Sequence, residues 1–234
     1  MRIGLIGAQG FVGSAIATGC AKVPEIDLVQ VTRANYEAAA TDGHYDVLIN
    51  AAMPSRRFWA RQNPGLDFVE SVAKTSQLVN DWSWGKFVQI SSISARSQLD
   101  TVYGRHKAAA EKLCSFADNL VLRLGPMYGE NLDKGVLIDL LNDSTVFVSA
   151  DSRYCFAPIE WIGEWIPRHL HLVGVMDLGG TDAVALGEVA EAVGSQSTFE
   201  GVVDDQILTN PVDDAPLARD AIEYLRGLRE TGGN

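Results

Sequence analysis

A chain of 234 residues is long enough to bury one large core, alone or with a small appendage. Its formal net charge of -11 repels a phosphate backbone, and with no basic stripe carrying interleaved aromatics a nucleic-acid partner is not expected. No apolar run approaches the roughly 18 to 20 residues needed to cross a bilayer, so no membrane partner is expected either.

The chain opens on an apolar strand, "RIGLIG", that leads through "GAQGFVG" into the helical "FVGSAIATGCAKV". Glycines and Gln9 interrupt this apolar start and it lacks a strongly basic leader, so a targeting peptide is not expected. Gly7, Gly10 and Gly13 fall where strand becomes helix. Without a Cβ the chain turns tightly and approaches a pyrophosphate closely, while the helix N-terminus offers N–H donors and partial positive charge. The turn Gly7, Gln9, Gly10, Phe11, Val12 and Gly13 is therefore assigned to a dinucleotide, with mere turn glycines as the alternative.

The second strand, "DLVQVT", ends roughly 20 residues after the glycine turn, where an NAD site carries an acid for the ribose hydroxyls. Arg33 stands there instead. A guanidinium pairs with a 2′-phosphate, which favours NADP(H) and leaves NAD(H) second; a solvated surface arginine is the competing reading.

Next come the strand "YDVLINAA", the helical "NPGLDFVESVAKTSQLVNDW", the strand "KFVQISS" ending at Ser92, the helical "YGRHKAAAEKLCSFAD" and the strand "NLVLRLG". Nearly all-apolar strands alternating with helices predict an α/β fold built on a Rossmann-like, doubly wound parallel sheet. Beyond Gly125 the rhythm loosens into "PMYGENLDKG", a helix "VLIDLLND", a strand "TVFVSA", and "FAPIEWIGEWIPRHL" ahead of "GVMDLGG". The helices "ALGEVAEAVGS" and "PLARDAIEYLRGLRE" follow, before a frayed "TGGN". The expected division is an NAD(P)-binding core over 1–128 and a small C-terminal substrate-binding region over 129–234 that also returns elements to the core.

Tyr103 and Lys107 are four residues apart, hence on one helix face. An ammonium beside a phenol lowers its pKa, so Tyr103 is expected to exchange protons near neutral pH, while Ser92 hydrogen-bonds the reacting oxygen. A solvated helix face is the bland alternative for such a pair. Cys20, Cys114 and Cys155 suit reduced, packed thiols and a cytoplasmic setting. His44, His106, His169 and His171 show no metal-ligand spacing with them and read as surface or structural residues, so no metal site is expected. Trp82, Trp84, Trp161 and Trp165 read as packing, and Arg56 and Arg57 as an anion contact or a solvated pair.

Taken together, "GAQGFVG", "NAA" at Asn50, Ala51 and Ala52, "ISS", "YGRHKAAAE", "LRLGPMYGEN" and "SRYCFAPIEWIGEWI" resemble an extended short-chain dehydrogenase/reductase of the NAD-dependent epimerase/dehydratase family. The resemblance implies Tyr103 as acid/base, Lys107 on the cofactor ribose and beside the phenol, and Ser92 orienting the substrate. It also implies Asn50, Ala51, Ala52, Tyr103 and Lys107 at the cofactor, Arg123 and Arg153 at the substrate, and a homodimer paired through the helices of "GLDFVESVAKTSQLV" and "YGRHKAAAEKLCSFA". Dehydratases of the family carry an Asp-Glu pair where Ile93 and Ser94 stand, so dehydration is not expected. The stretch between Gly129 and Arg153 is short for a nucleotide-sugar pocket, which points to a smaller substrate or a more open pocket. The family's active-site asparagine falls on Asn63 or is replaced by Gln62. The function implied is NADPH-dependent reduction of a keto group on a sugar or nucleotide-sugar-like small molecule. An NAD-dependent sugar-nucleotide epimerase and a non-catalytic NADP(H)-sensing protein are the alternatives.

Overall fold

Short runs rich in Ile, Leu and Val, most of them buried, build the main sheet. In the computed structural model, which describes residues 1–232, these runs are β1 (Arg2–Ile6), β2 (Asp27–Val31), β3 (Tyr45–Asn50), β4 (Trp84–Ser92) and β5 (Leu120–Leu124). With the strand Gly174–Leu178 they form a six-stranded sheet in the order β2-β1-β3-β4-β5 followed by that last strand. The pairs β1–β2, β1–β3, β3–β4 and β4–β5 are all parallel. A parallel strand requires a crossover, and each is supplied by helix: α1 (Phe11–Cys20), α2 (Tyr36–Thr41), α3 (Arg57–Gln62), α4 (Pro64–Phe68), α5 (Lys74–Asp81), α6 (Ser94–Ser97) and α7 (Val102–Cys114). The doubly wound sheet expected from the apolar strands is the one observed.

The strand order reverses between β1 and β3. In an open parallel sheet the crevice beyond the strand ends at such a reversal is where ligands bind, because the flanking loops part there. Gly7 and Ala51 lie at those two strand ends. Between α4 and α5 the helix widens into a π turn at Val69–Ala73, a local irregularity of the kind that recurs at functional sites.

The chain divides into two compact units, Met1–Leu124 with Glu160–Met176 and Gly125–Ile159 with Asp177–Asn234. The first holds the core of Ile6, Val31, Tyr45, Leu48, Leu78, Trp82, Phe87 and Val121. The second has its own core, built from Tyr128, Leu137, Leu140, Phe156, Leu186, Val189 and Leu225 among others. All three cysteines are buried and free of disulfides, as packing residues should be.

Two local expectations fail. "TVFVSA" is not a strand: Val146 alone forms a bridge, to Phe199, and Phe147 beside it points into solvent. Its β-branched residues have no continuous partner to pair with, and pairing rather than propensity makes a strand. The last helix starts only at Asp220 and runs to Gly232, so Thr231 and Gly232 belong to it while Gly233 and Asn234 lie outside the described residues. Among the described residues no helix is long and apolar enough to cross a membrane, and no cluster of three metal-ligating side chains occurs.

Candidate active site

The glycine turn is closed by backbone contacts that leave no room for side chains. Gly7 takes φ +82°, its N–H donates to Val31 O at 3.1 Å, and its carbonyl accepts from Gly10 N at 2.9 Å. A Cβ on Gly7 would stand 2.8 Å from the Ala52 Cα, and one on Gly13 only 2.0 Å from the Gly7 carbonyl oxygen. The turn therefore nests against "NAA" on one side and the first turn of α1 on the other. Gly10 begins α1 with no side-chain cap, and no acid stands in that first turn. Its N–H groups and the positive end of the helix are left for an anion. Gln9 is exposed, and Phe11 and Val12 are half-buried around the turn.

Asn50, expected at the cofactor, has its side chain bound within the strand end. It is buried, its amide donates to Thr75 Oγ1 at 3.2 Å and Gln89 Oε1 at 3.1 Å, and its Oδ1 accepts from Ala52 N at 3.2 Å. It shapes the strand end, and the groups it leaves at the site are Ala51 and Ala52. Arg33 is exposed in the turn after β2. Asn35 holds that turn, accepting from Thr32 N at 2.7 Å and donating to Gln30 O at 3.0 Å.

Thr101 caps α7, its hydroxyl accepting from Gly104 N at 3.0 Å. The capped helix turns Tyr103, Lys107, Ala110 and Glu111 inward, an i, i+4, i+7, i+8 stripe that buries all four. Ser92 is a hydrogen-bonding neighbour that lowers the pKa of the Tyr103 phenol, and Lys107 Nζ lies over the Tyr103 ring, 5.2 Å from its centroid. Ser92 Oγ is itself oriented by Ser94, from whose backbone N–H it accepts at 3.2 Å. The three side chains predicted to carry the chemistry thus meet in one place.

Their charge states differ from the sequence expectation. Burial raises the Tyr103 phenol above its ordinary pKa, against a lowering by the Arg57 charge and the Ser92 hydrogen bond and with a further raising by Asp67. Burial also lowers Lys107 to about 7, against Asp67 and Glu111, which raise it. The ammonium next to the phenol does not bring it toward neutrality, because removing both groups from water penalises each charged form.

Arg123, expected at the substrate, pairs with Glu111. Its Nε reaches both Glu111 oxygens at 3.0 and 3.1 Å and its Nη2 reaches Oε2 at 2.7 Å, while Ser91 Oγ donates to Oε1 at 2.6 Å. This bidentate pair ties β5 to α7. Replacing Glu111→Gln removes the charge that faces the half-buried guanidinium. It is expected to lower unfolding stability by about 3 kcal/mol, read as a shift of the urea midpoint at unchanged slope. Arg153 lies in the second unit, exposed, with Nη2 donating to Ala183 O at 2.9 Å.

One residue, Asp67, escapes the sequence reading, while Arg57 is read only as an anion contact or solvated residue and Asn63 only as a candidate for the family's asparagine. Asp67 is buried in the first turn of α4 with Oδ2 at 2.6 Å from His106 Nδ1, and its charge acts on both Tyr103 and Lys107. Arg57 opens α3 and acts on Tyr103. Asn63, one of the two candidates for the family's asparagine, caps the chain back on Trp59 O at 3.2 Å. The available signal was an acid inside the apolar run "GLDFV", which a helix buries only for a reason.

No protein-family model and no curated protein matches the chain. Solved structures do match. A UDP-glucuronic acid 4-epimerase from Bacillus cereus, in complex with UDP-glucuronic acid and NAD, is 18% identical with TM-score 0.73, covering 99% of each chain. A dTDP-4-dehydrorhamnose reductase from Bacillus anthracis, in complex with NADP, is 15% identical with TM-score 0.76, covering 96% of this chain and 98% of the other. A UDP-glucose 4-epimerase from Thermotoga maritima with UDP-glucose is 15% identical with TM-score 0.75, covering 98% and 96%. The resemblance read from the motifs holds at the level of the fold.

Proposed function

We propose that the protein is an NAD(P)-dependent oxidoreductase of the epimerase and reductase type, acting by NADPH-dependent reduction of a keto group on a sugar or nucleotide-sugar-like small molecule. The observation that carries this reading is Tyr103 with Ser92 as its hydrogen-bonding neighbour and Lys107 over its ring, inside the same unit as the glycine turn. The close packing at Gly7 and Gly13 and the uncapped start of α1 fit a dinucleotide pyrophosphate. A bound NADPH supplies the hydride for the carbonyl carbon. Ser92 Oγ hydrogen-bonds the carbonyl oxygen, Tyr103 Oη gives that oxygen its proton, and the Lys107 ammonium stabilises the phenolate that forms. A raised phenol pKa suits this direction, since the group starts as a proton donor. The printed cofactors of the similar structures, NAD in one and NADP in another, support the class. Arg33, exposed and facing no acid in its own turn, supports NADPH.

A homodimer through α4, α5 and α7 is part of the same reading: Leu66, Phe68 and Val69 stand exposed there. Sedimentation of a purely monomeric species at micromolar concentration would remove it. The test of the function is a titration with NADPH and NADH followed by nicotinamide fluorescence, repeated with Arg33→Ala. NADPH is expected to bind roughly tenfold more tightly, and the variant to lose that margin, because a charged hydrogen bond to phosphate is worth about 1.5 kcal/mol. A preference for NADH moves the assignment to the epimerase; binding of neither cofactor removes the catalytic reading.

A further inference from the structure

Thr32 to Asn35 is the loop between β2 and α2, and it is pinned at both ends. At its start Val31 is buried, and its carbonyl accepts from Gly7 N at 3.1 Å, which fastens the end of β2 to the glycine turn. At its end Tyr36 opens α2 and packs on Trp82 of the core, with ring centroids 5.2 Å apart. Arg33 lies two positions beyond Val31, so its Cα is within roughly 7 Å of the residue bonded to the glycine turn. Between the two anchors one side chain holds the loop. Asn35 Oδ1 accepts from Thr32 N at 2.7 Å and from Thr32 Oγ1 at 3.1 Å, and its Nδ2 donates to Gln30 O at 3.0 Å. Thr32 Oγ1 in turn accepts from Ala34 N at 3.3 Å. These bonds fix the backbone on both sides of Arg33, whose own side chain is exposed and, among the described residues, forms no ion pair.

We infer that Asn35 is a positioning residue for cofactor choice: by clamping Gln30 and Thr32 it presents Arg33 to the 2′-phosphate of NADP(H) on a backbone that is already ordered. The inference rests on the cofactor reading proposed above. A guanidinium on a loose loop must order that loop when it pairs with a phosphate, and the ordering lowers the affinity. On a loop already held, only the side chain itself is immobilised. NADH has no 2′-phosphate, so its affinity does not draw on the clamp. Asparagine suits the position because one amide supplies both an acceptor and a donor. Its oxygen takes the N–H and hydroxyl of Thr32, and its nitrogen serves the Gln30 carbonyl on the other side of the bend.

The test is a double-mutant cycle on wild type, Arg33→Ala, Asn35→Ala and the double variant, each titrated with NADPH and with NADH and followed by nicotinamide fluorescence. Asn35→Ala is expected to weaken NADPH about fivefold, the size of effect that ordering one flexible side chain at a binding site exerts, and to leave NADH unchanged. In the Arg33→Ala background the same substitution is expected to change neither affinity, because the clamp acts through the guanidinium. An asparagine that only supports the fold would weaken both cofactors and add its loss to that of Arg33→Ala. Where Asn35→Ala does not fold, Thr32→Val serves: it removes the hydroxyl bonded to Asn35 and Ala34 at nearly the same volume, and a smaller loss confined to NADPH is expected. Unchanged NADPH affinity, equal losses for the two cofactors, or additive losses in the double variant overturn the inference. A margin for NADPH that Arg33→Ala abolishes and Asn35→Ala keeps removes the clamp alone. A wild type without that margin, or an Arg33→Ala variant that retains it, removes the cofactor reading and the clamp with it.

Discussion

Tyr103→Phe is expected to lower turnover with NADPH and a keto sugar by a factor of roughly a thousand, within the range that a positioned general acid contributes. Phenylalanine keeps the ring beneath Lys107 and removes only the hydroxyl that neighbours Ser92, so folding and NADPH affinity are expected to stay near wild type. Loss of turnover with cofactor binding preserved places the effect on the chemical step. A variant that turns over at the wild-type rate would take the phenol out of the mechanism. Turnover is to be followed as NADPH absorbance, against fluorescence titration of the cofactor on the same preparation.

The second large effect belongs to the glycine turn. Gly13→Ala would place its Cβ 2.0 Å from the Gly7 carbonyl oxygen, 2.8 Å from the Gly7 carbonyl carbon and 3.1 Å from the Ala8 Cα. All three are backbone atoms of the same turn, so the helix start must shift. A cost of about 2 to 4 kcal/mol in stability is expected, together with loss of NADPH binding, because the shift moves the N–H donors of α1. Ala is otherwise the better helix former by about 1 kcal/mol. The control is therefore Gly227→Ala, in the last helix, where an added Cβ meets nothing within 4 Å. It is expected to stabilise slightly, by about 0.5 to 1 kcal/mol. Urea unfolding of both variants separates the cases; equal stability of Gly13→Ala and wild type, with binding intact, would mean the turn is not the cofactor cradle.

What could be read from the linear chain is what repeats or recurs locally. Alternation of apolar strands with helices identifies a parallel sheet covered on both faces, because only strands buried twice are apolar throughout. The spacing of Gly7, Gly10 and Gly13 and of Tyr103 and Lys107 is set by backbone geometry within one turn or one helix, so it survives without knowledge of the rest. Three-dimensional structure alone decided what burial and distant pairing control. Arg123 was assigned from its motif, and Glu111, 12 residues earlier on the preceding helix, pairs with its guanidinium. Asn50 sat in the right tripeptide, but Thr75 and Gln89 claim its amide. Asp67 and His106 are 39 positions apart, and no local pattern joins them. The pKa direction of Tyr103 was misjudged for the same reason: pairwise charge can be anticipated from helical spacing, whereas desolvation depends on everything that packs around the pair.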